Sequence, residues 1–164
     1  MRKVFSFPNP VDEVSARLVA AGVVVLTGVI LATGWLWLTV PLAYGFVARA
    51  LTGPTLSPWG TLVTRVIRPS LSLDARPTAG PPKRFAQAIG ATLSVGAVIA
   101  HVGFGASGLA LVLVAFITVA ASLEAFLGFC LGCKIFALLM KAGVIPESVC
   151  EECNDIWSRR PSPA

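Results

Sequence analysis

Long apolar stretches alternate with short charged ones along this chain, and their lengths set the first expectations. From Leu18 to Ala48 there are 31 residues without a charge, bounded by Arg17 and Arg49. As one helix that run would extend about 46 Å, against a hydrocarbon core of about 30 Å. Thr33-Gly34 near its middle offers a turn, and Trp35 and Trp37 beyond it suit an interface. The run therefore predicts two short helices, with Pro41 bending the second. Asn9-Pro10, Asp12 and Glu13 mark the start of the first. Asn caps a helix, Pro is accepted at its first position, and acids favour its positive end.

A second apolar region runs from Phe85 to about Gly103, turns between Gly103 and Gly108, and returns from Leu109. The returning helix passes Glu124 and meets Cys130 about 30 Å along, the thickness of the hydrocarbon core. Residues 49–84 between the two regions are rich in Pro, Gly and Arg. Within them Leu62, Val63, Val66 and Ile67 recur at helical spacing beside Arg65 and Arg68, the pattern of a short interfacial helix with snorkelling arginines. An irregular loop between Pro58 and Pro69 is the alternative. Gly80-Pro81-Pro82 is read as the end of this segment, before Lys83-Arg84.

Charge chooses the topology. Two passes in the first region put all 13 Lys and Arg residues on one side and leave both outer turns uncharged, as the positive-inside rule requires. A single pass would divide them. The expected fold is an all-α membrane protein of four transmembrane helices in two hairpins, both termini cytoplasmic, with a short cysteine-rich cytoplasmic cap. Its parts are an N-terminus at 1–13, a first hairpin at 14–48, a loop at 49–84, a second hairpin at 85–129 and the cap at 130–157. These make one domain, 1–157, and 158–164 form a disordered tail. With 55% hydrophobic and 13% charged residues and a mean hydropathy of +0.81, composition excludes an ordinary soluble domain. The net charge of +5 is scattered beside apolar runs, so it reads as a topology signal and not as a nucleic-acid surface. Pro8, Pro10, Asp12 and Glu13 stand where a signal peptide would need its apolar core.

The chemistry is concentrated near the end. All four cysteines lie in two C-x-x-C pairs, Cys130/Cys133 and Cys150/Cys153, sixteen residues apart. That spacing is one of a four-cysteine zinc site, and each pair alone fits dithiol redox chemistry. On the cytoplasmic side structural disulfides are rare. Chance burial accounts poorly for Cys150 and Cys153, which lie among Glu151, Glu152, Asn154 and Asp155. Spacing favours zinc. Charge asymmetry favours redox, because Lys134 adjoins Cys133 and would stabilise a thiolate there, whereas Glu151 and Glu152 burden the other pair. Glu124 is the only acid within a span. It is a candidate proton carrier, or else a protonated side chain bonded to Thr92, Ser94 or Thr118. His101 lies near an outer turn, too far from the cysteines to share their metal. Gly128 and Gly132 form a G-x-x-x-G that suits close helix packing, within the chain or in a homo-oligomer.

FPNPVDEVSAR, YGFVARALTGPTLSP, GPPKRFAQAIG, LEAFLGFCLGCKIFALLM and IPESVCEEC cover nearly the whole chain. On these pieces it resembles a bacterial family of small integral-membrane proteins with one domain of unknown function, the DUF4395 type. The resemblance implies a membrane-embedded protein. It also implies thiol or sulfur metabolism, since members tend to be encoded near rhodanese-like and thioredoxin-like proteins. The expected function is thus thiol or sulfur handling in the cell membrane. Cys130 and Cys133 would be the reactive pair, Cys150 and Cys153 the relaying pair, and the partner a thioredoxin-like or rhodanese-like protein. Whether the chain is an enzyme stays open. The alternatives are a non-enzymatic membrane protein with one structural zinc on the four cysteines, and a small-solute transporter with Glu124 in its path.

Overall fold

Asp12 begins the first helix, and the residues around it divide their work differently from the sequence expectation. In the computed structural model, which describes residues 9–150 apart from 73 and 75, α1 spans Glu13–Thr33. Asp12 is its N-cap, accepting from the Ser15 backbone N–H and hydroxyl. Pro10 stays outside the helix. Asn9 caps a different helix: its Oδ1 accepts from the N–H of Gly80, the first residue of α5 (Gly80–Val98). Gly80-Pro81-Pro82 therefore opens α5. Proline fits a first turn because its absent N–H has no partner to lose there. Lys83 and Arg84 consequently lie inside the helix.

α1 ends where expected, with Gly34 in the left-handed conformation (φ 71°) and its N–H on Ile30 O. A 3-10 turn, Leu36–Leu38, leads into α2 (Thr39–Thr52). Pro41 falls in the first turn of α2, where it has no hydrogen bond to break. The segment read as either interfacial helix or loop is helical. α3 (Pro58–Leu62) is capped by Ser57 and continues through a π-turn, Val63–Ile67, into α4 (Arg68–Ser70). A two-residue ribbon, β1 (Val11–Asp12) antiparallel to β2 (Pro77–Thr78), ties this segment back to the start of α1.

After α5 come a second π-turn, Ile99–Gly103, and α6 (Ser107–Leu127). The first hairpin is not packed on itself. α1 lies along α6 and α2 along α5, the α5–α6 pair is central, and α1 and α2 barely touch. At one end α3 packs against both of them. The Trp59 indole fits against Gly22 and donates to Val19 O at 3.3 Å. A Cβ at Gly22 would stand 2.2 Å from that ring, so no other residue admits it. The core joins Ile30, Leu42, Phe46, Ala97, Val114 and Ile117 from four helices. Buried Thr27 and Ser94 return their hydroxyls to carbonyls of their own helices.

Three helical stretches, Glu13–Thr33, Gly80–Gly103 and Ser107–Leu127, are long and apolar enough to cross a membrane. Most of their apolar surface faces outward, with Val25, Phe116 and Val119 each at least 60% exposed. Such a belt requires a bilayer, so this is a membrane protein. The fourth apolar helix, Leu36–Thr52, is shorter, about 25 Å. Trp37 meets His101 edge-on at 5.9 Å, and His101 Nδ1 lies 3.2 Å from Ser107 Oγ. The two glycine-containing connections, after α1 and after α5, therefore share one end of the bundle.

α6 does not run on to Cys130. Gly128 (φ 66°) ends it, and Arg17 donates to the last carbonyls, Ala125 O and Phe126 O. A cation there complements the negative end of the helix. The chain restarts as α7 (Leu131–Lys141), so Gly128 and Gly132 are not a stripe on one helix. Gly143 (φ 75°) and a 3-10 turn, Glu147–Val149, follow. Cys150 directly follows that turn. Cys153 and the tail at 158–164 lie outside the described residues.

Candidate dithiol site

Cys130 is the N-cap residue of α7, and Cys133 occupies the third position of its first turn. Gly132 between them rests on α5, where a Cβ would come within 2.6 Å of Ala86 Cα. This contact seats the thiols over the first turn of α5, which carries Lys83. Lys83 Nζ in turn donates to Glu124 Oε1 at 2.5 Å, with side chains only 8% and 14% exposed. The hydroxyls of Thr92, Ser94 and Thr118, considered as partners for Glu124, bond within their own helices instead.

Cys130 and Cys133 are both free, Cys130 buried and Cys133 half-buried. Hydrogen bonding by Cys133 is the main cause holding the Cys130 thiol below its ordinary value, against burial and the Glu124 carboxylate and with help from Lys83. The same bonding, with burial, pushes Cys133 well up. The lower of the two thiols is therefore Cys130, at the positive end of α7, where the neighbouring Lys134 had pointed to Cys133. Lys134 points elsewhere, its Nζ 5.6 Å from the centre of the Phe129 ring.

A second buried cation completes the setting. Arg49, 6% exposed, donates to Gln87 Oε1 at 3.0 Å and Ser57 Oγ at 3.2 Å, and stacks over Phe46 at 4.7 Å. Arg49 and Lys83 both act electrostatically on Glu124. Two buried cations against one carboxylate leave one positive charge, which a Cys130 thiolate would neutralise. Sequence reasoning missed Lys83, Arg49 and Gln87. The available signal was that a carboxylate one turn inside a span needs a cation at its own depth, and Lys83 opens the neighbouring helix.

Cys150 is buried against Phe136 and Met140, one and two turns beyond Cys133, and is disulfide-bonded. Among the described residues no group of three or more His, Cys, Asp or Glu is placed to hold a metal ion. His101 is about 27 Å along α5 from Lys83, at the opposite end of the bundle. From the thiol end a cavity of about 380 Å³ extends over α6 between α1 and α5. Cys130, Glu124 and Gln87 line its inner end, and Leu93, Leu113, Phe116 and Ile117 its depth.

These features define an α-helical membrane protein with a dithiol seated on a buried ion pair. The chain belongs to the DUF4395 family, a domain of unknown function, whose model matches residues 11–141. The match takes in Cys130 and Cys133 and ends before Cys150. No curated protein and no solved structure matches this chain.

Proposed function

We propose that the protein is a membrane dithiol oxidoreductase, with Cys130 and Cys133 exchanging two electrons with a thioredoxin-like or rhodanese-like protein. The observation that supports this most is the pair of free thiols at the start of α7 with Lys83 beside them. Cys130 thiolate attacks a disulfide of the partner and forms a mixed disulfide, expelling one partner thiolate. Cys133 gives up its proton and attacks Cys130 Sγ. The products are the Cys130–Cys133 disulfide and the reduced partner, and the reverse sequence reduces Cys130–Cys133 again. Cys150 and Cys153 would pass electrons onward in the relay form of this reading.

Topologically, α2 serves as a fourth span, and both termini and the dithiol face the cytoplasm. Arg17 on Phe126 O, Arg84 on Ala50 O and Lys83 on Glu124 gather the basic helix ends at the thiol end, which favours that orientation. In a cysteine-free variant, reporter cysteines at Ser72 and Ser107 should label from opposite sides, Ser72 from the cytoplasm. The functional test is alkylation of the reduced protein at neutral pH. Cys130 should react severalfold faster than Cys133, and Cys130→Ser should abolish thiol exchange while leaving the bundle folded. One zinc per chain, with all four thiols protected until a chelator is added, would overturn this reading in favour of the structural zinc alternative.

A further inference from the structure

The dithiol faces two kinds of surroundings: the polar end of the bundle, and a cavity that a soluble protein partner does not fill. That cavity is bounded along α6 from Glu124 to Leu113, about 16 Å of helix, and its walls beyond the inner end are apolar. Phe116, which lines it, is also 62% exposed on the lipid-facing surface, so the cavity reaches the belt. Its volume of about 380 Å³ falls in the range of small-molecule sites. At its inner end stand a nucleophilic sulfur and a carboxylate whose second oxygen, Oε2, is not used by Lys83. A phospholipid acyl chain would match the walls and make no use of that end.

Resting on the dithiol reading above, we propose that this cavity binds a lipid-soluble quinone, which accepts the two electrons of Cys130 and Cys133. The ring lies at Cys130 and Glu124, and the tail leaves past Phe116. Cys130 thiolate adds to a ring carbon, forming a C–S bond while a ring oxygen takes a proton, delivered through Glu124. Cys133 transfers its proton to the second ring oxygen and attacks Cys130 Sγ. The S–S bond forms, the C–S bond breaks, and its electron pair leaves with the ring as hydroquinone. In sum, one thiolate, one thiol, one proton and one quinone give one disulfide and one hydroquinone.

The test uses the full chain, reduced and reconstituted in anaerobic phosphatidylcholine vesicles, with decylubiquinone as probe and the soluble oxidant diamide in parallel. One hydroquinone should form per Cys130–Cys133 disulfide. Ala120 lines the cavity with Leu93, and cavity-filling Ala120→Phe and Leu93→Phe should each slow quinone reduction at least tenfold while leaving diamide oxidation unchanged. Disulfide formation with diamide but not with decylubiquinone would overturn the quinone site and spare the dithiol reading. Failure with both oxidants would defeat both. Equal quinone consumption by Cys130→Ser/Cys133→Ser, or undiminished rates in both filled variants, would also overturn the site.

Discussion

Asp12–Arg68 and Lys83–Glu124 are ion pairs of the same separation, 2.5 Å, in very different company. The Asp12 carboxylate also accepts from Ser15 and from the Arg76 N–H, and Arg68 donates further to Leu71 O. The bonds from Arg68 and the Arg76 N–H join the start of α1 to the segment that returns to it, and the others brace each side. Among the described residues, the Glu124 carboxylate accepts from the Lys83 side chain alone, is more deeply buried, and adjoins a free thiol and a cavity. A saturated pair fixes chain segments. An unsaturated one beside a nucleophile keeps capacity for a proton or a ligand. The contact distance distinguishes neither role; the remaining partners do.

Removing the carboxylate from each pair is the strongest way to break this contrast. Glu124→Ala leaves Lys83 buried and uncompensated, and should cost about 3–5 kcal/mol. Asp12→Ala loses a helix cap and a more accessible charge partner, and should cost about 1–2 kcal/mol. Denaturation of the detergent-solubilised variants checks the order, and equal losses would erase the distinction. Replacing both partners, Lys83→Met with Glu124→Leu, should recover most of that stability, because no charge is then stranded. It should still slow alkylation of Cys130 severalfold, whereas Asp12→Asn should leave that rate alone.

A pH titration separates the pairs more finely. Burial works to raise the Asp12 pKa, but the donors Arg68, Arg76 and Ser15 outweigh it and hold the value below the ordinary one. A folded value depressed in this way contributes stability that is present above the unfolded value and lost as pH falls through the folded one. Hydrogen-exchange protection at Glu13 and Arg76, whose amides the ribbon holds, should therefore survive mild acid and then collapse. Asp12→Asn should make the profile flat across that window. The smallest expected effect is at Arg17, whose hydrogen bonds among the described residues all go to the last turn of α6. Arg17→Gln should cost about 0.3–1 kcal/mol in the same denaturation assay.

Helices were legible in the sequence because charge-free length and glycine punctuation are local properties. Gly34 ended its helix as expected. Partners were less legible because they are remote in the chain. Asn9 looked like a cap for the helix that follows it, yet it serves α5, seventy-one residues on. Gly22 gave no hint of Trp59, whose indole packs against it from thirty-seven residues on. At the site, the cysteines and Glu124 were visible as residues out of place in apolar surroundings. Lys83 was hidden because it looked like an ordinary flanking charge, and Lys134 was preferred as the thiolate's neighbour because adjacency along a helix was mistaken for proximity. Consecutive helical side chains diverge by about 100°, so neighbours in sequence face apart.

The pairing of α1 with α6 also bears on how the protein is made. A helix that packs against the next one in sequence can settle as soon as both have left the ribosome. α1 has no such neighbour, and its main contact surface is synthesised only when α6 is complete, more than ninety residues later. At about 5–20 residues per second, α1 would wait about 5–20 s in the bilayer with its inward face covered only by lipid or by the insertion machinery. Arg17 would spend the same interval without the carbonyls it finally holds. Truncated nascent chains ending before Ser107 are therefore the species most exposed to quality-control proteolysis.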